Sequence, residues 1–133
     1  MNQNLFQIAL VVDDYDEAID FYTNVLHFDL IEDTQRSETK RWVVVKPKGE
    51  GGCSLLLAKA KNEKQSSRVG DQTGGRVFLF LHTDNFKRDY DNIIKHKLNI
   101  LRGPVEEDFG KVIVFEDLYG NKWDLIEPKV GEL

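Results

Sequence analysis

One carboxylate lies in an apolar run near the C-terminal end of the chain, in the sequence Trp123-Asp124-Leu125-Ile126. Alternate side chains of a β-strand point to the same face, so Asp124 is predicted to share a face with Ile126. A carboxylate on an apolar wall loses hydration, which raises its pKa, and such groups are frequent at functional sites. Alternatively, Asp124 has a structural role and accepts a hydrogen bond from Gln7 or from a nearby basic residue. The sequence leaves both interpretations open.

The other reactive side chains form no familiar catalytic arrangement. Cys53 is the only cysteine, which excludes an internal disulfide and a multi-cysteine metal site, and we expect it to behave as a small hydrophobic residue. His27 and His96 are predicted to lie at the surface. No serine–histidine–aspartate order, glycine-rich phosphate loop or pair of catalytic carboxylates is recognisable in the sequence.

Length and composition indicate one soluble globular domain over residues 1–133. Its 18 Lys and Arg stand against 23 Asp and Glu, and a formal net charge of −5 disfavours nucleic-acid binding, which needs clustered positive charge. No apolar run approaches the roughly 18–20 residues that span a bilayer, and the first residues do not resemble a signal peptide. We therefore expect a cytoplasmic protein that binds neither nucleic acid nor membrane.

An internal repeat appears when each residue is compared with the one 70 positions later. Apolar segments then coincide in order: 7–12 with 77–82, 42–45 with 112–115, and 54–56 with 124–126. Identities are few, so the matched order of apolar segments is the stronger signal. The pattern predicts two copies of one structural unit.

Each copy is predicted to be a βαβββ module. A strand rich in β-branched and aromatic residues is followed by polar capping residues, an amphipathic helix and three further strands. The modules are predicted at 5–58 and 76–128, with a polar connector at 59–75. A unit of roughly 55 residues buries little apolar surface alone, which favours packing against its copy or a second chain. The predicted fold class is α+β, with two tandem modules forming a curved mixed sheet around a cavity.

Four segments carry a resemblance to a known family. They are the helix start Asp-Asp-Tyr-Asp-Glu-Ala-Ile-Asp-Phe-Tyr at 13–22, the turn Leu-His-Phe at 26–28, the start of the second module Gly-Gly-Arg-Val-Phe-Leu-Phe-Leu at 74–81, and the closing hairpin Phe-Glu-Asp-Leu-Tyr-Gly-Asn-Lys-Trp-Asp-Leu at 115–125. In this order, with the repeated modules, they resemble the vicinal oxygen chelate superfamily, which includes glyoxalases, bleomycin-resistance proteins and extradiol dioxygenases. The resemblance implies the paired-module fold and a homodimer.

The resemblance also implies where a divalent metal would bind, through one side chain from the first and last strand of each module. Carried over, these positions are Gln7, Ser54, Val77 and Asp124. Only Asp124 is a good ligand, because Gln7 and Ser54 are weak neutral donors and Val77 has no donor atom. We expect no metal cofactor. Counted from Val77, His82 is predicted to face away from the cavity.

The resulting hypothesis is a metal-free, bleomycin-resistance-like protein that binds a small organic molecule. Gln7, Ser54 and Asp124 are predicted to supply polar contacts, and Trp42 and Phe109 to wall or close the pocket. Arg41 either pairs with an anionic ligand or lies at a solvated strand edge. Two alternatives remain: a metal-dependent lyase, isomerase or dioxygenase with a displaced metal site, and a non-catalytic dimeric interaction domain.

Overall fold

The computed structural model describes residues 1–130. The chain divides into two compact units, residues 1–69 and the part from Gly70 onward. Each unit contains a strand, a helix and three further strands, and each forms its own four-stranded mixed sheet. These observations confirm the predicted α+β class and the two tandem βαβββ modules. No helix in the described part of the chain is long and apolar enough to cross a membrane.

The first sheet has the strand order β1-β4-β3-β2, in which β1 and β4 are parallel and the other neighbours antiparallel. Its elements are β1 (Gln7–Val12), α1 (Tyr15–Asp20), a π-helical turn (Phe21–Val25), β2 (Asp29–Gln35), β3 (Arg41–Lys46) and β4 (Ser54–Lys59). A short helix, α2 (Glu63–Ser66), lies in the segment predicted as connector. The amide oxygen of Asn62 caps α2 by accepting a hydrogen bond from the backbone of Gln65 at 2.9 Å.

The second sheet has the equivalent order β5-β8-β7-β6, again with its first and last strands parallel. Its elements are β5 (Leu79–His82), α3 (Phe86–Lys95), β6 (Ile100–Glu107), β7 (Gly110–Glu116) and β8 (Lys122–Pro128). Strand β5 begins at Leu79, two residues later than the apolar segment 77–82 predicts. Phe78 still donates a backbone hydrogen bond to Lys122 at 2.8 Å, so the pairing of β5 with β8 begins before the regular strand.

Each helix buries one face of its own sheet. In the first unit Phe21 and Tyr22 are buried with the inward side chains of three strands: Leu10, Val12, Val43, Val45, Leu55 and Leu57. In the second unit Phe86 and Ile93 of α3 are buried, as are the corresponding strand residues Ile113, Phe115, Trp123 and Leu125. The side chains that face the helix are two residues apart along each strand, and several intervening residues, such as Val44, Val112 and Ile126, are buried as well.

The first helix differs from the regular α-helix that its apolar spacing predicts. After Asp20 it widens into a π-helical turn, in which the backbone of Leu26 donates to the carbonyl of Phe21 at 3.1 Å. The hydroxyl of Thr23 donates to the carbonyl of Ile19 at 2.7 Å and so competes with the helical hydrogen bonds. The wider turn still buries Phe21, whose ring meets Tyr22 edge-on.

The two units do not repeat at one constant spacing. Val44 pairs with Leu56 in the first sheet, whereas Val114 pairs with Asp124 in the second. With Val114 as the counterpart of Val44, the counterpart of Asp124 is Leu56 and not Ser54, so the constant spacing is wrong here. The reason is turn length, because seven residues connect β3 to β4 and five connect β7 to β8.

The helix starts show a second departure from the constant spacing. Asp14 and Asn85 cap α1 and α3, each accepting a hydrogen bond from the backbone N–H three residues later. These two caps lie at positions 14 and 85, one residue further apart than the constant spacing requires. The counterpart of Gln7 is therefore Phe78, and the predicted equivalence with Val77 is wrong by one position.

The tight turn between β7 and β8 is organised by a buried carboxylate. Asp117 accepts hydrogen bonds at 2.9 Å from the backbone N–H groups of Tyr119 and Asn121 and from the side-chain amide of Asn121. Asp117 and Asn121 are both buried. This arrangement gives a physical reason for the Asp and Asn of the closing hairpin.

Replacing Asp117 with Ala is expected to lower the free energy of unfolding by about 2–3 kcal/mol, because buried N–H donors lose a charged acceptor. Urea denaturation followed by circular dichroism measures the change. Asp117→Asn, which keeps one acceptor oxygen, should cost less. The same replacement at the exposed Asp108 should cost close to nothing. Equal losses at both aspartates would contradict the assignment.

Candidate functional site

The sheet face that points away from the helix carries the candidate site residues of each unit. We call these the first far face and the second far face. Strand alternation and register assign Gln7, Ala9, Thr34, Trp42, Val44, Ser54 and Leu56 to the first. The second contains Phe80, His82, Arg102, Val112, Val114, Asp124 and Ile126. Both faces combine apolar surface with a few polar groups.

Gln7 and Ser54 are brought together on the first far face. They are direct partners in the parallel pairing of β1 with β4. The Ser54 hydroxyl donates to the carbonyl of Phe6 at 3.1 Å and lies 3.4 Å from Oε1 of Gln7. The hydroxyl proton of Ser54 is therefore directed at protein acceptors. On this face Gln7 is the more accessible of the two polar groups, because Ser54 is buried.

Trp42 is half-buried and belongs to the first far face, where it pairs with Thr34 of the edge strand. The guanidinium carbon of Arg36 lies 6.0 Å from the centre of its ring, within the range of a cation–π contact. The indole of Trp42 therefore presents apolar surface, with the Arg36 guanidinium over its ring. This position is compatible with the predicted role of Trp42 in lining a pocket.

Arg41 is held in an ion-pair cluster at the end of β3. Its guanidinium donates to Asp33 at 2.7 and 3.1 Å and to Asp16 at 2.9 Å, and it lies over the ring of Tyr15. The hydrogen bond with Asp33, and then that with Asp16, raises the pKa of Arg41 above its ordinary value. The same contact lowers the pKa of Asp33. Two carboxylates therefore already balance the charge of Arg41.

Asp124 lies on the second far face between Phe80 of β5 and Val114 of β7. Its Oδ1 atom is buried, and no residue within 1–130 donates a hydrogen bond to it. Burial raises the pKa of Asp124, and the positive charge of Arg102 partly opposes this effect. The carboxylate therefore combines a desolvated position with an acceptor atom that the described chain does not use.

Two side chains beside Asp124 were not predicted to be its direct neighbours. Phe80 pairs with Asp124 across β5 and β8, and 65% of its surface is exposed. Arg102 pairs with Val114 and donates a hydrogen bond to Glu107 on its own strand. A constant repeat spacing concealed the pairing of Phe80 with Asp124. The place of Arg102 depends on irregularities in the β6–β7 register, and the shift after Arg102 includes Gly103 and Pro104, residues that commonly mark such irregularities.

The remaining predicted residues lie elsewhere in the second unit. Phe109 is exposed at the turn between β6 and β7, and its carbonyl accepts a hydrogen bond from the backbone of Lys129. Val77 precedes β5 and is half-buried. His82 pairs with Ile126 and shares the face of Asp124, so the prediction that it faces the other way is wrong. That prediction took Val77 as the counterpart of Gln7, whereas the true counterpart is Phe78, so the predicted faces of β5 were reversed.

The model of the Glyoxalase/Bleomycin resistance protein/Dioxygenase superfamily matches residues 4–125, which run from before β1 into β8. The chain belongs to this superfamily. The superfamily resemblance found in the sequence is thereby confirmed.

Individual relatives of this glyoxalase-superfamily chain were found by sequence and by structure. An uncharacterized protein of Shewanella frigidimarina is 59% identical over 128 residues, which cover 96% of this chain and 95% of that protein. The crystal structure of UcmS2 is 27% identical with a TM-score of 0.81, covering 96% of this chain and 99% of that one. TnmS3, an antibiotic binding protein from Streptomyces sp. CB03234, is 27% identical with a TM-score of 0.75, covering 96% and 98%.

The superfamily's metal chemistry requires donors that this chain does not supply at the corresponding positions. Ser54 directs its proton to protein acceptors, neither Val77 nor Phe78, the corrected counterpart of Gln7, has a side-chain donor atom, and Asp124 is the single anionic group among these positions. Within residues 1–130, no group of three or more His, Cys, Asp or Glu side chains is arranged to hold a metal ion. The residues present therefore do not fit a divalent metal.

The raised pKa of Asp124 gives a test of its desolvation. Because its folded-state pKa lies above the unfolded value of about 3.9, the folded chain binds more protons between the two values, and stability falls as pH rises through that window. Asp124→Asn removes the desolvated charge. The variant should therefore melt at a higher temperature than the original chain at neutral pH, and the difference should shrink as pH falls towards about 4.

Thermal unfolding followed by circular dichroism across this pH range measures the difference. Asp108→Asn is the matched control, because it removes one exposed carboxylate from the same unit. The control should leave the melting temperature nearly unchanged at every pH. A variant of Asp124 that is less stable than the original chain at neutral pH would contradict the burial argument.

Proposed function

We propose that this glyoxalase-superfamily chain binds a small organic molecule without a metal ion. The observation that carries the proposal is the buried Oδ1 of Asp124, which has no donor within residues 1–130 and lies beside an exposed aromatic ring. A buried acceptor without a partner is costly, and a ligand donor would remove that cost. Apolar surface with a few convergent polar groups is typical of small-molecule sites.

The first far face offers Gln7 as its accessible polar group and Trp42 as a flat apolar surface, while its Ser54 is buried and already hydrogen-bonded. The second far face offers Asp124 and Phe80, and Phe109 of the same unit is exposed at a strand turn. Arg41 takes a structural role, because its guanidinium is already paired with two carboxylates. The similarity to TnmS3, an antibiotic binding protein, supports ligand binding as the function.

The metal-free part of the proposal rests on donor chemistry. A divalent ion at the superfamily positions would meet one carboxylate, one amide, one hydroxyl and one hydrocarbon side chain. Imidazole, thiolate or several carboxylates are needed for tight binding. Binding therefore has to come from apolar contact and hydrogen bonds.

Metal analysis together with ligand screening tests this function. Protein purified without chelator should contain far less than one ion per chain by mass spectrometry. A panel of small aromatic and heteroaromatic molecules should include compounds that raise its melting temperature, because binding to the folded state stabilises it. Treatment with EDTA should leave these shifts unchanged.

Two results would contradict the proposal. About one tightly held ion per chain, lost in Asp124→Ala, would favour a metal-dependent enzyme with a displaced site. A panel that stabilises the protein only after Zn²⁺, Mn²⁺ or Ni²⁺ is added would make the metal part of the binding site.

We further propose that two copies of the chain form a homodimer. Leu30 and Ile31 lie on the edge strand β2, where 44% and 57% of their surfaces are exposed, and Leu5 and Phe6 precede the other edge strand, β1. Exposed apolar residues at sheet edges are typical of surfaces that pair with another chain.

Light scattering after size-exclusion chromatography should give twice the 15.4 kDa mass of one chain. Ile31→Lys should shift the population towards one chain, because a charge would be buried without a partner. Glu38→Lys, at an exposed position close to the same strand, is the control and should leave the dimer intact. A mass of 15.4 kDa for the unmodified chain at all concentrations would rule out the dimer.

A further inference from the structure

We propose that the second far face selects a planar aromatic cation, which stacks on Phe80 and donates a hydrogen bond to Asp124. This inference rests on the proposed small-molecule binding and adds the chemical class of the ligand. Its basis is the direct pairing of an exposed aromatic ring with a buried carboxylate oxygen across two parallel strands.

The first requirement is a hydrogen-bond donor on the ligand. The Oδ1 atom of Asp124 is buried, and no residue within the described range donates to it. An ionised carboxylate has only acceptor atoms, so a group that satisfies it must carry N–H or O–H. A positively charged N–H group forms a stronger and shorter hydrogen bond with a carboxylate than a neutral group does.

The second requirement is a flat apolar surface beside that donor. The ring of Phe80 is 65% exposed, although it occupies the strand position directly opposite Asp124. Neighbouring strands lie roughly 4.8 Å apart, so a ligand about one ring wide can contact both side chains. The face of an aromatic ring also attracts cations, which adds to the preference for a positively charged ligand.

The other charged groups near this face already have contacts within the chain. The Arg102 guanidinium donates to Glu107, and the Lys122 ammonium donates to the carbonyl of Gly75 at 2.7 Å. The Glu116 carboxylate accepts from the side-chain amide of Asn99 at 2.7 Å. Each of these groups has a contact within the chain. Arg102 also places positive charge near Asp124, although its guanidinium is paired with Glu107. Because the Oδ1 of Asp124 has no donor among residues 1–130, the face favours a ligand that carries a positively charged donor over an anion.

His82 is the remaining titratable group on this face, two residues after Phe80 on the same strand. The same pH is therefore used for both probes and for every variant. Asp124 is then the charged group whose removal should change the preference.

The test compares two probes with the same three-ring skeleton and opposite charge. We would titrate the protein with 9-aminoacridine, a planar cation, and with anthracene-9-carboxylate, a planar anion, and follow ligand fluorescence. Amide shifts of Phe80, Val114 and Asp124 in the NMR spectrum should locate the cation on the second far face. The cation should bind at least about tenfold more tightly than the anion, a preference that corresponds to about 1.4 kcal/mol.

Three variants separate charge from stacking. Asp124→Asn should weaken the cation about tenfold and leave the anion unchanged or slightly tighter. Phe80→Leu keeps an apolar side chain without a ring and should weaken both probes. Glu38→Gln, which removes one exposed negative charge from the first unit, should change neither. Circular dichroism checks that every variant is folded.

Different results would overturn the cation preference and the proposed small-molecule binding. Equal binding of both probes, with no effect of Asp124→Asn, would overturn the cation preference and leave small-molecule binding standing. Shifts outside the second far face would likewise overturn the assignment of this face. If neither probe binds and no compound of the aromatic and heteroaromatic panel raises the melting temperature, the proposed function itself fails.

Discussion

The parallel pairing of the first and last strand in each unit is the constraint on which the rest of the structure depends. Parallel neighbours cannot be joined by a tight turn, so the chain must cross over before it returns. In each unit the crossover contains a helix, and that helix covers one face of the sheet. The opposite face is then composed of the intervening residues of the same strands, where the candidate polar groups lie.

The two units have the same architecture and different chemistry. On the first far face, the Ser54 hydroxyl is directed at Gln7 and at a backbone carbonyl, so its hydrogen bonds are made within the chain. On the second, the buried oxygen of Asp124 has no such partner among residues 1–130. The first far face thus carries a serine hydroxyl that is already hydrogen-bonded, and the second carries a carboxylate oxygen that has no donor within the described chain.

Local sequence patterns were enough to predict most of the elements. The β-branched and aromatic runs of β3 and β7 and the caps of α1 and α3 follow from short-range physics, and the closing hairpin resembles the superfamily's own. Apolar spacing predicted a regular α-helix and did not indicate the π-helical turn, in which the Thr23 hydroxyl donates to the carbonyl of Ile19. The neighbours of Asp124 were also missed, since pairing register depends on turn length and strand irregularities that apolar patterns do not record.

The shorter turn between β7 and β8 has a consequence for how such a fold can change its chemistry. A length change of one residue would rotate the whole of the last strand and move its buried side chains to the wrong face. A change of two residues slides the strand by one full pleat and preserves its inside and outside. In the first sheet Leu56 lies opposite Val44. In the second sheet Asp124 lies at the equivalent position, opposite Val114. Turn length in this architecture can therefore exchange an apolar group for a charged one at a fixed point of the sheet while the core remains intact.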